Sequence, residues 1–304
     1  MKDRSFWKEH YVVQSDAEEV ERNLRATSFV SARRNYQLIF FAKDSGAPNV
    51  LVSPGSAGHA YVFAELGYRQ HLQGYNVFIM PKHGGYTINE LMQRHRDALS
   101  HIADNWGDRI GVFAEGLGGF AAFYLALDHG PMSSAVYQNA PGILTEHKFQ
   151  ETVMKGRGAA QRRKLMLPFA KFLSRALPQI RIPISMYLDF KELVDSKAGN
   201  RALETRLVID GYRKDPDFDR SYPLSAVMSL VLTPPPKPLA ALEIPTMLLV
   251  PARGWSDPAY VKDLYSRLPS IKKKLVEVDG SVFWMLSHPD EAANVICNWF
   301  DETV

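Results

Sequence analysis

The sequence is poor in cysteine and has no long apolar run. Cys297 is its only cysteine, which excludes an intrachain disulfide and favours a reducing compartment. The first residues contain no apolar run of signal-peptide length, and no stretch approaches the roughly 20 apolar residues of a transmembrane helix. We therefore expect a soluble, cytoplasmic protein in which Cys297 is an ordinary buried helix residue.

A large charge imbalance and metal-binding clusters are also missing. The 304 residues carry a formal net charge of +3 at pH 7, which is too small to indicate a nucleic-acid partner. No group of Cys and His residues has the spacing of a metal site. We expect neither a metal ion nor a cofactor, and the oligomeric state stays open.

Short apolar runs bounded by Gly and Pro alternate with longer periodic segments. This alternation is typical of an α/β fold with a doubly wound, mostly parallel sheet. The first two strands are close in sequence and are expected to form an antiparallel start. Strands are predicted at 36–42, 49–54, 75–80, 109–114, 133–138, 245–250 and 273–278, and helices at 60–72, 88–104, 118–130, 258–268 and 289–300.

The alternation stops between residues 144 and 242, where we find helical segments, a proline-rich run and no convincing strand. We interpret this region as a helical cap over the C-terminal edge of the sheet, with the prolines forming the return linker. The predicted organisation is a core in two parts, 1–143 and 243–304, interrupted by the cap, 144–242.

The most informative stretch is RIGVFAEGLGGFAAFYLAL, in which a strand leads through a glycine-rich turn into an apolar helix. It matches a nucleophile elbow, where the positions two before and two after the nucleophile must be small. Ala114 and Gly118 meet that requirement, but the central residue is Gly116, which has no side chain to attack a carbonyl. Centring the elbow on Glu115 would put bulky residues at the small positions. The alternative is a glycine-rich turn of another doubly wound fold.

These features together resemble α/β-hydrolases of the monoglyceride lipase, lysophospholipase and serine-aminopeptidase-like branch over roughly residues 36–302. NVLVSPGSAGHAYVFAELGYRQHLQGYNVFIMPKHGGYT looks like the family's oxyanion-loop block, with Pro54-Gly55 in place of its usual His-Gly. The resemblance implies that the backbone N–H groups of Ser56 and Leu117 form the oxyanion hole. Because both donors belong to the backbone, a hole can survive without the nucleophile.

The same resemblance places the other two members of the catalytic triad. PTMLLVPARGWSDPAYV looks like the strand and Gly-x-x-Asp of the family, which puts Asp257 at the acid position; an N-cap role for Asp257 is compatible with this. In KKLVEVDGSVFWMLSHPDEAANVICNWF the histidine position falls at Val282, or at Phe283 with a shift of one. Neither residue accepts a proton, and His288 lies several residues further on. The double loss predicts natural divergence from serine-hydrolase chemistry.

Other polar residues lie on loops near the predicted C-terminal edge of the sheet, where open α/β folds bind ligands. Glu115 can act as a base if burial raises its pKa, although a carboxylate bonded to nearby backbone is the favoured interpretation. His83 can line the pocket floor or bond within its own loop. His59 is expected to be a surface or capping residue.

The start of the predicted cap is basic, with nine Lys/Arg residues and one Glu between His147 and Arg181. Two interpretations stay open: a lid helix that packs an apolar face on the core, which is favoured, and a helix that contacts an anionic membrane. The apolar residues at helical spacing are Met166, Phe169, Phe172, Leu173 and Leu177.

The family's cap, which has a similar Tyr-Arg-Lys-Asp-Pro stretch, implies a pocket for a small acyl or lipid-like ligand. The first functional hypothesis is therefore a hydrolase-like protein that binds such a ligand without fast turnover. The alternative is an active divergent hydrolase or cofactor-free lyase that uses Glu115, His83 or other residues outside the triad. A third hypothesis is a partner-binding module that uses the lid surface. Whether the protein is an enzyme stays open.

Overall fold

The computed structural model describes residues 6–44, 46–56, 58–139, 142–149, 171–172, 174–186, 201–254, 257–269 and 272–304. Within these residues, one large sheet contains eight strands. They are β1 (Arg25–Ser31), β2 (Arg34–Phe41), β3 (Asn49–Ser53), β4 (Asn76–Ile79), β5 (Ile110–Glu115), β6 (Ser134–Gln138), β9 (Thr246–Arg253) and β10 (Lys273–Ser281). Two further strands, β7 (Arg181–Pro183) and β8 (Ser221–Pro223), pair separately.

The large sheet has the order β1-β2-β4-β3-β5-β6-β9-β10. All pairs from β4 to β10 are parallel, whereas β1–β2 and β2–β4 are antiparallel. The prediction of a mostly parallel, doubly wound sheet is confirmed. The predicted antiparallel pairing of strands 36–42 and 49–54, which are β2 and β3, is wrong. The strand β2 forms a hairpin with β1, and β4 lies between β2 and β3 in the sheet. The strand β1 escaped prediction because most of its residues are exposed and the apolar signal is weak.

All five predicted helices are present, with small shifts at their ends. The helix α4 begins where Thr87 and Glu90 form a reciprocal capping box. The α-helices that lie entirely within the described ranges are α1 (Phe6–Tyr11), α2 (Ala17–Asn23), α3 (Ala64–Leu72), α4 (Ile88–Trp106), α5 (Gly116–Leu127), α6 (Arg201–Glu204), α7 (Gly211–Lys214), α8 (Leu224–Leu232), α9 (Pro258–Arg267), α10 (Trp284–Ser287) and α11 (Pro289–Asp301), with a π-helical segment at Thr205–Asp210.

Apolar side chains cover both faces of the central strands. Along β5, Phe113 packs in one apolar cluster with residues of α3 and α11, while its neighbours Val112 and Ala114 pack in another with residues of α4 and α5. Alternate residues of a strand point to opposite faces, so the sheet lies between two helical layers. The helix α5 is buried along its whole length after Gly116, which fixes the point where it meets the strand ends.

The predicted cap contains one departure from its predicted helical character. Strands β7 and β8 pair antiparallel in register Arg181↔Pro223 to Pro183↔Ser221. Each strand has three residues and one proline, so neither could give a recognisable alternating pattern. The domain boundaries themselves stay a prediction. Met166, Phe169 and Leu173 of the predicted lid face lie outside the described residues.

Glu65 fixes the N-terminal segment to α3. Its buried carboxylate accepts backbone N–H groups from Val13 at 2.6 Å and Gln14 at 2.8 Å, and a third from Ser15. Three donors on one carboxylate hold the chain between α1 and α2 against the start of α3. This contact explains why a polar residue occupies a buried position of α3.

Replacing Glu65 with alanine should weaken the fold. The change removes three charge-assisted bonds, and we expect the free energy of unfolding to fall by about 2 kcal/mol. Urea unfolding followed by circular dichroism measures this loss. Glu9→Ala, at an exposed position of α1, is the matched control and should change stability little. Equal stability of the two variants would contradict the role assigned to Glu65.

Candidate active site

The turn between β5 and α5 has the backbone conformation of a nucleophile elbow. Glu115 is extended at φ −123°, and Gly116 begins the helix at φ +52°. A nucleophile at this position is held in the same kind of strained strand-to-helix turn. Glycine adopts the left-handed conformation without the steric penalty that any other residue carries.

The loop after β3 packs closely against the start of α5. The Gly118 N–H donates to the carbonyl oxygen of Pro54 at 3.1 Å, and a Cβ on Gly118 would overlap Ser53 Oγ. A Cβ on Gly116 would lie 3.2 Å from Gly55 Cα and 3.8 Å from the Ser56 nitrogen. The side-chain position of residue 116 therefore faces the predicted oxyanion loop.

Both predicted oxyanion donors lie at this junction. Ser56 belongs to the loop, and Leu117 is buried in the first turn of α5. Among the described residues, neither N–H has a hydrogen-bond partner. The first N–H groups of a helix have no partner within the helix, so Leu117 has a donor to offer. Two backbone donors therefore lie beside the point where a side chain of residue 116 would begin.

The acid position shows a capping role. Asp257 is exposed, precedes α9, and accepts the Ala259 N–H at 2.9 Å. The N-cap interpretation is thus confirmed, while its orienting role stays a prediction. His288 is at the N-terminus of α11, where its Nδ1 lies 2.9 Å from Ser287 Oγ.

The predicted histidine position, Val282, is buried and held by hydrogen bonds to its backbone. The Val282 side chain is only 5% exposed and packs in an apolar cluster together with Phe283. The Val282 carbonyl accepts the Asn139 amide at 2.7 Å and the Gln138 amide at 3.2 Å. Asn139 adopts φ +59° directly after β6, and this left-handed conformation is one that Asn tolerates well.

Glu204 holds the same loop from the predicted cap. Its fully buried carboxylate accepts the Ser281 hydroxyl at 2.6 Å, and Ser281 Oγ in turn accepts the Phe283 N–H at 3.0 Å. Sequence reasoning missed Glu204. A carboxylate within the apolar pattern of RALETRLVID was the available signal, because buried carboxylates in helices generally have partners.

Glu115 contacts both the loop after β3 and the residue that follows β6. Its side chain is hydrogen-bonded to Asn139 and to the Gly55 backbone, and a Cβ on Gly55 would overlap its carboxylate. Burial raises the pKa of the Glu115 carboxyl to about 7, opposed by the bonds from Asn139 and Gly55, which favour the charged form. Through Asn139, Glu115 is linked to the carbonyl of Val282 at the histidine position.

His83 belongs to a buried chain of polar groups beneath the elbow. Ser53 Oγ lies 2.8 Å from His83 Nε2 and 2.6 Å from His95 Nε2, and His95 Nδ1 lies 2.7 Å from the Leu91 carbonyl. Since that carbonyl requires a donor, His95 carries its proton on Nδ1 and accepts the Ser53 hydroxyl. Ser53 then accepts from His83 Nε2, which leaves His83 Nδ1 as a buried acceptor without a partner.

Both histidines bonded to Ser53 are neutral. Burial lowers the pKa of His83 well below its usual value, and repulsion from a protonated His95 and from the Arg94 guanidinium would lower it further. Burial likewise lowers the pKa of His95 to about 4, although the Leu91 carbonyl opposes the shift. His83 therefore takes up a proton only at a high energetic cost, whereas its neutral Nδ1 can still accept a hydrogen bond.

His59 is buried and paired, so the expected surface role is wrong. Asp215 Oδ2 lies 2.6 Å from His59 Nε2 and accepts the Tyr11 hydroxyl at 2.6 Å. Burial alone would raise the pKa of Asp215, but the bonds from His59, Tyr11 and Asp217 together hold it below its ordinary value. The pair depends on Asp215, which belongs to the Tyr-Arg-Lys-Asp-Pro stretch and is distant in sequence. Local patterns around His59 could not reveal it.

Solved structures share this architecture. Structures similar to this one include DcsB in complex with its substrate analogue (15% identity, TM-score 0.69, covering 92% of this chain and 100% of that chain). A monoacylglycerol lipase of Paleococcus ferrophilus is similar at 18% identity and TM-score 0.63, over 87% of this chain and 98% of the lipase. An α/β-hydrolase fold protein of Chitinophaga pinensis is similar at 11% identity and TM-score 0.61, over 92% and 98%.

These likenesses show that the chain has the α/β-hydrolase fold. No protein-family model matches the sequence, and no curated protein does. The helices of the described residues are all too short or too polar to cross a bilayer. No group of three or more His, Cys, Asp or Glu side chains in the described part of the chain is arranged to hold a metal ion.

Glu115→Gln should remove a pH dependence of stability. The unfolded carboxyl ionises near 4.5, whereas the folded one keeps its proton up to about 7. The wild type therefore loses stability as the pH rises from about 4.5 to about 7, and the glutamine variant lacks this loss. Between pH 5.5 and pH 8, urea unfolding should show a decrease roughly 2 kcal/mol larger in the wild type.

The matched control is Glu9→Gln, an exposed carboxyl that should leave the wild-type pH profile unchanged. Identical profiles for the wild type and Glu115→Gln would mean that Glu115 ionises at its ordinary pKa.

Proposed function

We propose that the protein is hydrolase-like in fold, binds an acyl or lipid-like ligand, and lacks serine-hydrolase turnover. One observation carries the proposal: Gly116 keeps the φ of the elbow while Val282 and its neighbours fill the histidine position with apolar side chains. The backbone of the elbow is thus retained, whereas the side chains at the predicted nucleophile and histidine positions cannot react. Nucleophilic catalysis needs a nucleophile within reach of a base, and neither predicted position supplies one.

The ligand class is supported by the neighbours and by the two backbone donors. The Paleococcus ferrophilus neighbour is a monoacylglycerol lipase, and a monoglyceride lipase of Saccharomyces cerevisiae, also similar in fold, was solved with a substrate analogue. Two unpartnered N–H groups beside Gly116 suit a ligand oxygen. A cap over residues 144–242 and a cytoplasmic location belong to the same proposal.

The second candidate is an active enzyme of the same fold that uses residues outside the triad. It is favoured by one observation, the buried Glu115 carboxyl whose pKa lies near 7, because a base works best when its pKa is close to the working pH. His83 offers a bare acceptor but a low pKa. Glu115 is therefore the stronger candidate for a base in this alternative.

An ester-hydrolysis assay tests the proposal. With p-nitrophenyl butyrate and a serine-reactive inhibitor to remove contaminating esterases, we expect no activity above background and no labelling by a fluorophosphonate. Gly116→Ser should also stay at least about 10³-fold below an intact triad enzyme, because no histidine can take the serine proton. A monoacylglycerol lipase serves as the positive control.

Inhibitor-resistant activity in the wild type would contradict the first proposal. If Glu115→Gln abolished that activity while Glu9→Gln kept it, the second candidate would be supported. If Glu115→Gln and His83→Ala both left it intact, neither residue could carry the chemistry.

Peripheral contact with an anionic membrane is a separate part of the proposal. Phe172 is 67% exposed and Leu177 is 51% exposed, so these two residues do not pack on the core as the favoured lid interpretation expected. Basic side chains at Lys171, Arg175 and Arg181 are exposed beside them. Apolar and basic groups together suit the interface of an anionic bilayer.

Liposome sedimentation tests the membrane contact. We expect salt-sensitive binding to vesicles with phosphatidylglycerol, little binding to pure phosphatidylcholine, and roughly ten-fold weaker binding for Phe172→Ser/Leu177→Ser. Leu72→Ser, at another exposed apolar position, is the matched control. Binding that ignores salt and lipid charge, or none at all, would exclude this contact.

A further inference from the structure

The strand β1 is one edge of the large sheet, so one side of its backbone has no neighbouring strand. It joins β2 through a two-residue turn in which Ala32 and Arg33 both have positive φ, 47° and 64°, as in the turns that tight hairpins favour. The residues that flank such a turn, Ser31 and Arg34, exchange hydrogen bonds. Counted back from Ser31, every second residue of β1 is therefore bonded to β2, and the residues between them point their N–H and C=O groups away from the sheet.

Ala26, Ser28 and Val30 are the three residues with outward-pointing backbone groups. All three are exposed, and among the described residues none of their outward N–H and C=O groups has a hydrogen-bond partner. The Val30 side chain is 62% exposed, and no other large apolar side chain within the strands of the large sheet is as open. A row of unpaired groups on an edge strand is a template for pairing with a further strand.

The other edge of the sheet, β10, has features that oppose such pairing. Its ladder with β9 shifts register between Val278 and Ser281, and charged side chains are exposed along it at Lys274 and Glu277. Irregular ladders and charged side chains are among the means by which natural sheets avoid edge-to-edge association. The strand β1 has a regular ladder and no proline, and its only charged residue, Arg25, is at its first position. Of the two edges, β1 is therefore the one suited to pairing.

We propose that two copies of this chain associate through β1, antiparallel to each other, about a two-fold axis at Ser28. In this register Ser28 lies opposite its own counterpart, and Ala26 lies opposite Val30 of the second copy. The outward groups of the two strands then form three reciprocal pairs of hydrogen bonds. Two eight-stranded sheets become one continuous sheet. The proposal concerns the edge of the fold and does not depend on the proposed ligand.

The sequence of β1 suits a second copy of itself as the partner. Only an axis at Ser28 pairs all three outward residues with one another, because a shift of two positions leaves one of them beyond the end of the other strand. The small Ala26 leaves room for Val30 of the second copy, which removes an exposed apolar group from water. Arg25 lies opposite Ser31, so no like charges face each other in the ladder.

Sedimentation velocity of the full chain tests the association. We expect a monomer–dimer equilibrium with a Kd on the order of 10 µM, because an edge-strand contact is smaller than a standard interface. Ser28→Pro removes the N–H at the two-fold axis and should raise the Kd at least about ten-fold. The fold should tolerate this change, because that N–H is not bonded to β2. Ser28→Thr is the matched control and should dimerise like the wild type.

A charge on the edge provides a second variant. Val30→Lys should also raise the Kd at least about ten-fold, because a lysine on an edge strand opposes pairing. Leu72→Lys, at an exposed apolar position outside β1, is the matched control and should leave the Kd unchanged.

An introduced cysteine tests the register. Opposite Cα atoms of a hydrogen-bonded antiparallel pair are about 5.5 Å apart, which a disulfide can span. Oxidised Ser28→Cys should therefore run as a covalent dimer on a non-reducing gel. Glu9→Cys, at an exposed position of α1, should run as a monomer. The native Cys297 is buried and should not react.

The outcomes either support β1 as the interface or overturn it. A single monomeric species at concentrations well above the expected Kd overturns the proposal. A dimer that persists in Ser28→Pro and Val30→Lys, without a cross-link at position 28, has its interface elsewhere and overturns the assignment to β1. Cooperative unfolding in urea shows that each variant is folded. If Ser28→Pro does not fold, Val30→Lys and the cross-link still decide the question.

Discussion

The close contact between the start of α5 and the loop after β3 is the constraint on which the candidate site depends. It requires glycine at 118, because a Cβ there would overlap Ser53, and it places Gly55 against the elbow. In a serine hydrolase this contact sets the distance between the nucleophile and the oxyanion donors. Here the same contact is made with glycine at position 116.

Buried polar contacts surround the predicted histidine position at Val282. Asn139 joins Glu115 to the Val282 carbonyl, and Glu204 holds Ser281 on the other side of the same loop. The hydrogen bonds from Asn139 to the Val282 carbonyl and from Ser281 to Glu204 hold the loop after β10 in place.

The sequence was sufficient where local sterics decide the structure. The elbow was predictable because the small residues at 114 and 118 express a backbone requirement. The central parallel strands were predictable because β3, β4, β5 and β6 are buried throughout. The pairs His59–Asp215 and Glu204–Ser281 were not predictable, since each joins segments that no local pattern connects. The short strands β7 and β8 were not predictable for a different reason: three residues are too few to show an alternating apolar pattern. The raised pKa of Glu115 depends on burial, which its position before the elbow only suggested.

The Asp215 carboxylate has a consequence for the order in which the chain assembles. Its bond to Tyr11 spans 204 residues and its bond to His59 spans 156. Closing such long loops costs chain entropy before any contact can compensate for it. We expect this junction to form late, after the sheet and α3 have already set the position of His59. The first helix and the segment around Asp215 would then be the last parts to dock.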